Sequence, residues 1–179
     1  VDDRSRNLNM VFKPAIEAES SNAFLTKSPV ELIKTQRDQI KIPIIFGTTN
    51  KEGIIQAAYM KKSLSLFDKN PTRMVPISFK INPSSDVALE VGKEIKKFYF
   101  KDEPVDEDSI ENFIDMMTDL HFLTPQMICS EMHNEFQRNS KQFLYEFRFD
   151  GELNLFKKML QMDQHKGACH ADELFYLFG

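Results

Sequence analysis

Residues 42–54 read IPIIFGTTNKEGI, and the reading of the fold turns on them. Ile42 to Phe46 form a short apolar run that stops at Gly47 and a polar turn. A run of that length, bounded by turn formers, predicts a strand buried on both faces, as in a parallel sheet. Glu52 follows the turn, and from there the period changes. Ile54, Ile55, Ala58, Tyr59 and Lys62 recur at helical spacing, which predicts a helix pressed back on the sheet. Strand, turn, acid and helix in that order point to an α/β architecture.

Upstream, SPVE at Ser28 to Glu31 is a capping box with proline at the first helical position, predicting a helix to about Gln36. Downstream, residues 68–85 hold three prolines and read as loop. DVALEVGKEIKKFYF (86–100) predicts a helix despite Gly92. DEDSIENFIDMMTDL (106–120) predicts another, with acids in its first turn. Pro125 opens a further amphipathic helix through about Arg138. QFLYEFRFDG (142–151) alternates apolar and polar residues and ends in Asp-Gly, predicting a second strand. No internal repeat or low-complexity tract interrupts this order.

Bulk properties remove several classes of function. The chain has 179 residues, 41% of them hydrophobic, with sixteen Phe and nine Met, enough for a packed core. Its net charge of −4 comes without a basic stripe, so nucleic-acid binding is not indicated. No apolar run approaches the roughly 18 residues of a membrane span. Two cysteines, Cys129 and Cys169, are too few for a disulfide framework. Asn70 and Asn82 are each followed by proline, which blocks N-glycosylation there. These features lean towards an intracellular setting. The first residue is Val1 rather than Met, and a fragment of a longer protein is expected.

The last thirteen residues, GACHADELFYLFG (167–179), place His170 on a glycine-led loop just after the second strand. Sites in open α/β sheets form where strand C-terminal ends open into loops. Glu52 and His170 stand beyond the ends of the two strands, as the acid and base of a nucleophile–base–acid triad require. The carboxylate would hold one ring nitrogen and fix the tautomer, while the other nitrogen takes the proton of a nucleophile. By spacing alone the signal is weak, because a glutamate and a histidine on loops are common, and a solvated glutamate with an ordinary surface histidine is the more frequent reading.

GACHADELFYLFG closely resembles the catalytic-histidine segment of the type-B carboxylesterase and cholinesterase family: Gly-x-x-His, an acid three residues later, then aromatic and aliphatic residues. IPIIFGTTNKEGI resembles that family's catalytic-acid segment. FKPAIE (12–17) with AFLTKSPVELI (23–33) is similar to the stretch before the acid, TDLHFLTP (118–125) to an Asp-x-x-Phe segment, and FLYEFRFDGELNLFK (143–157) to the last long strand. The match runs through almost the whole chain in the family's order and is most similar to the insect alpha-esterase branch. The resemblance implies that residues 1–179 are part of a single α/β-hydrolase domain cut at both ends. It also implies serine-dependent hydrolysis of small-molecule carboxylic esters, with xenobiotic or lipid-derived esters among the substrates. Glu52 would be the triad acid, His170 the general base, Asp119 and Glu173 supporting acids near the histidine. No metal or organic cofactor is implied.

The nucleophile of this family sits in a G-x-S-x-G elbow ahead of the acid and the histidine. The six glycines here, at 47, 53, 92, 151, 167 and 179, include no two four apart, so the chain holds no such elbow. The chain by itself is therefore expected to be inactive, and to expose strand edges that favour aggregation or a partly molten state. Thr124 stands where the resemblance places a cholinesterase disulfide cysteine, which favours a general carboxylesterase.

Bland readings stand beside the others. Cys169 next to His170 invites a Cys-His nucleophile pair, but adjacent side chains usually point apart, and that reading is set aside. Cys129 and His133, four apart, lack further ligands for zinc. His121 and His165 have no evident partner. Two rival functions stand beside this one. An esterase-like protein-binding scaffold has no need for the retained Glu52 and His170 and is disfavoured by them. A scavenger that binds esters or organophosphates stoichiometrically would share every residue named here.

Overall fold

Ser28 starts the first helix as its sequence predicts. In the computed structural model, which describes residues 14–179, α1 spans Pro29–Thr35 and the Ser28 hydroxyl accepts the Glu31 N–H at 3.1 Å. The Glu31 carboxylate pairs with Lys27 (3.7 Å), so the contact seen at Glu31 Oε1 is an ion pair one turn back. Of the FKPAIE stretch, Phe12 and Lys13 lie outside the described residues.

The two strands form as a parallel pair. β1 is Ile44–Thr49 and β2 is Gln142–Phe147. Ile44 N–H donates to the Lys141 carbonyl and Asn50 N–H to the Phe147 carbonyl. Both bonds keep the same offset in sequence, so the strands run in the same direction. β1 starts later and ends later than the apolar run alone predicts. Pro43 has no N–H to give, and the Ile42 carbonyl is taken by the Ser140 hydroxyl at 2.6 Å. Burial on both faces is not observed along its first half. Phe46 packs its ring on His133 (5.6 Å), whereas Ile45 on the opposite face is 68% exposed.

The remaining elements are α2 (Ile54–Met60), α3 (Ser65–Lys69), α4 (Asp86–Phe100), α5 (Ile110–Thr118), α6 (Thr124–Phe136), α7 (Leu155–Met159) and α8 (Leu174–Leu177). A π-helical turn at Asp119–Leu123 joins α5 to α6. The proline-rich stretch is more ordered than a loop: it carries two 3₁₀ turns, Pro71–Met74 and Ile77–Phe79. Asn70 caps the first of them by accepting the Thr72 N–H. α5 starts at Ile110, because the Asp106 carboxylate accepts the N–H groups of Asp108 and Ser109 and holds that acidic segment in a turn.

The described residues fall into two compact units. One comprises Thr48–Thr124 and Glu146–Gly179; the other comprises Pro125–Tyr145 and the residues up to Gly47. The first holds the main core. Ile54 and Ala57 of α2, Phe67 of α3, Phe100 of α4 and Phe113 and Met117 of α5 are fully or almost fully buried together. Phe67 and Phe113 meet edge to face at 5.1 Å. In the second unit the buried Gln137 amide donates to the carbonyls of Ile33 and Gln36 and accepts the Ile40 N–H. One side chain thereby satisfies carbonyls at the end of α1 and an amide of the following loop.

Candidate active site

The turn after β1 aims Glu52 inward. Glu52 is 5% exposed, and its Oε1 accepts the Thr49 N–H at 2.7 Å. Gly53, the next residue, donates its N–H to the Thr118 hydroxyl (2.9 Å). A Cβ at position 53 would lie 2.2 Å from the Ile114 carbonyl oxygen, so only glycine lets the turn approach α5 this closely.

The free oxygen of that carboxylate meets the histidine. Glu52 Oε2 lies 2.7 Å from His170 Nδ1. An ionised carboxylate can only accept, so Nδ1 carries the hydrogen and Nε2 is left as the proton-accepting nitrogen of the neutral ring. The His170 side chain is 45% exposed, with the Phe122 ring at 5.3 Å and the Phe156 ring at 6.4 Å. The hydrogen bond that His170 donates to Glu52 raises the His170 pKa above its ordinary value, burial opposes this, and the charges of Glu52 and Glu173 add to the rise. Such a pair can take a proton at Nε2 and stabilise the imidazolium that results.

The other acids named from sequence stand differently. Glu173 is at the start of α8, and its Oε2 is buried without a hydrogen-bond partner among the described residues. Burial pushes its carboxyl upward, with Glu52 adding to the effect. Asp119 accepts the Tyr99 hydroxyl at 2.8 Å and so links α4 to the π turn. It is Phe122, from that same turn, that reaches His170. Burial, then the Asp119 bond, pushes the Tyr99 phenol upward.

Cys169 is fully buried. Burial, then the neighbouring Asp172, pushes its thiol up to about 12, so a thiolate does not form there at neutral pH. Cys129 is a free cysteine, and no group of three or more His, Cys, Asp or Glu among the described residues could hold a metal ion. His165, which had no evident partner in the sequence, has one in space: its Nδ1 lies 2.6 Å from Glu111.

Sequence reasoning missed the frame that holds the histidine loop. Gly167, at φ +103°, donates its N–H to Asp150, Ala168 donates to the Asn50 side chain, and the Ala168 carbonyl accepts from Lys51 N–H. The loop is thus tied to the turn that carries Glu52. Asp150 was legible only as half of an Asp-Gly turn, and Asn50 only as a turn former.

Residues 2–179 match the model of the carboxylesterase family. The chain belongs to that family. Among its relatives, venom carboxylesterase-6 of Apis mellifera is 25% identical over 170 residues, covering 92% of this chain and 30% of that protein. Esterase B1 of Culex pipiens is 26% identical over 176 residues, covering 93% and 31%. Esterase E4 of Myzus persicae is 21% identical over 173 residues, covering 93% and 30%. The chain thus spans under a third of the length of these curated relatives. Carboxylesterase membership carries ester hydrolysis as the family's chemistry and the α/β-hydrolase as its fold, with which the parallel pair and its helices are compatible. Among the described residues no helix is long and apolar enough to cross a membrane.

Proposed function

We propose that this chain supplies the acid and the general base of a Ser-Glu-His triad, as part of a single α/β-hydrolase domain of a serine carboxylesterase. The reading rests on one observation: the Glu52–His170 bond at 2.7 Å, which commits Nδ1 and leaves Nε2 to a nucleophile. The serine belongs to a part of the protein beyond these residues. Its hydroxyl oxygen attacks the ester carbonyl carbon as His170 Nε2 takes its proton. The imidazolium, held by Glu52, then protonates the departing alkoxide, leaving an acyl-serine. Water enters, His170 takes its proton, and collapse of the second tetrahedral intermediate returns that proton to the serine and releases the acid. Glu173 and Asp119 act in this scheme as supports of the histidine loop and the π turn.

The experiment uses the full-length protein with a short-chain aryl ester. Wild type should turn over, and His170→Ala and Glu52→Gln should lose turnover while still folding. Undiminished turnover in His170→Ala would overturn the assignment. The 179-residue chain alone should show no hydrolysis.

A further inference from the structure

Lys157 of α7 has no place in the chemistry above, yet it is 3% exposed. Its Nζ donates to three acceptors: Asp150 Oδ1 (2.5 Å), the His165 carbonyl (3.0 Å) and the Gly167 carbonyl (2.8 Å). An ammonium has three hydrogens to donate, and all are used. A buried ammonium persists only where its partners replace the lost hydration. Two of these partners are backbone carbonyls of the loop that leads into His170.

The rest of that loop is equally constrained. Asp150 Oδ2 accepts the Gly167 N–H (2.9 Å). Asp172 accepts the Lys157 N–H on one oxygen (3.2 Å) and the Cys169 N–H on the other (2.8 Å). Asn50 and Lys51 take the N–H and carbonyl of Ala168, and the Cys169 carbonyl accepts the Asp172 N–H. All six backbone polar groups of Gly167, Ala168 and Cys169 are therefore bonded. The Lys157 ammonium bears on two of them, directly on the Gly167 carbonyl and through Asp150 on the Gly167 N–H, while the Lys157 backbone N–H shares the Asp172 carboxylate with the Cys169 N–H. Ala171, just after the histidine, is held at φ +66°.

We infer that Lys157 is a positioning residue for His170: its buried ammonium, with Asp150, fixes the 165–169 loop so that the imidazole meets Glu52. The inference rests on the reading of His170 as the general base. Lys157 touches neither substrate nor the reacting atoms. It acts through the loop backbone, and its loss lets the imidazole drift from the carboxylate. The charged groups that face the ring are Glu52 and Glu173, so a weakened Glu52 bond lowers the pKa at which the ring deprotonates.

The test measures kcat per titrated active site, KM, and the acid limb of kcat/KM in the full-length protein. Lys157→Arg, Lys157→Met, Asp150→Asn and His170→Ala are compared with wild type. A misplaced base costs about tenfold to a hundredfold in kcat, the loss expected for Lys157→Met and Asp150→Asn with KM changed by less than about twofold. Their acid limbs should move down by about half a unit or more, since a lost carboxylate bond disfavours the imidazolium. Lys157→Arg keeps a cation and should restore most of kcat and the wild-type limb. If Lys157→Met does not fold, Asp150→Asn decides, because it keeps the shape and removes the charge. Wild-type kcat per site and an unmoved limb in Asp150→Asn, and in whichever Lys157 variants fold, would reduce Lys157 to a stabilising residue. His170→Ala separates the two failures: turnover surviving there overturns the base assignment itself, whereas its loss beside unaffected Lys157 and Asp150 variants overturns only the positioning.

Discussion

Glu52 and His170, 118 positions apart in sequence, meet through one carboxylate oxygen at 2.7 Å while the other oxygen is held by the Thr49 N–H. The backbone bond fixes the plane of the carboxylate, so the histidine finds its acceptor already oriented. Replacing Glu52 by Gln keeps the size and the contact with Thr49 but removes the charge that holds the imidazolium. In the full-length protein, kcat should fall by about 10³- to 10⁴-fold, as in triads whose acid is neutralised. A loss below tenfold, measured at saturating ester, would argue that Glu52 only shapes the turn.

The pH dependence has a definite sign. Glu52 raises the folded-state pKa of His170 through its hydrogen bond, against the effect of burial. Stability from a raised imidazole is fully present below the unfolded value, about 6.5, and is lost as pH rises through the folded value. The difference in Tm between wild type and Glu52→Gln should therefore be largest in mildly acidic buffer and shrink on the alkaline side. Because the ring is nearly half exposed, added salt should narrow the gap. A gap independent of pH would contradict the assignment.

Much of this site could be read from the sequence, and the reason is local. Glu52 lies in the turn between an apolar strand and the next helix, and His170 follows a glycine-led loop after the second strand; both signals lie within a few residues. Lys157 and Asp150 carry no such signal. Lysine in LNLFKKML reads as a solvated charge, because its burial depends on acceptors at 150, 165 and 167 that only the folded loop brings together. The strand boundaries shifted for a similar reason: Ile42 looks like strand, but its carbonyl is claimed by Ser140 nearly a hundred residues away.

Gly53 separates close packing from chemistry. A methyl group there would meet the Ile114 carbonyl and the Met117 side chain, both in α5. Gly53→Ala should lower stability by about 1–3 kcal/mol, the usual cost of overpacking. It should also lower turnover per active site, because the residue next to it is Glu52. The urea midpoint and kcat of the full-length protein check both; an unchanged midpoint would mean that α5 yields freely.

Thiol labelling tests the burial of the histidine loop. Cys169 is fully buried and its pKa is pushed up to about 12, first by burial. Cys129 is only partly covered. Under native conditions near pH 8, iodoacetamide should modify Cys129 well before Cys169 in the full-length protein, and both should react in denaturant. Rapid native labelling of Cys169, read by mass spectrometry, would show that the loop opens.

The chain's own solution behaviour follows from its two strands. Ile45 and Leu144 are 68% and 52% exposed on neighbouring strands, and the described sheet consists of these two strands alone. A two-stranded sheet is marginal by itself, and apolar strands with unpaired edges are templates for pairing with other chains. The isolated 179-residue chain should therefore self-associate at micromolar concentration and bind a hydrophobic dye. Putting a charge on each strand, in Ile45→Lys with Leu144→Glu, should reduce the association without touching Glu52 or His170. Light scattering across a dilution series decides the matter: a monomer with one sharp, reversible melting transition would mean that these strands are adequately protected as they stand.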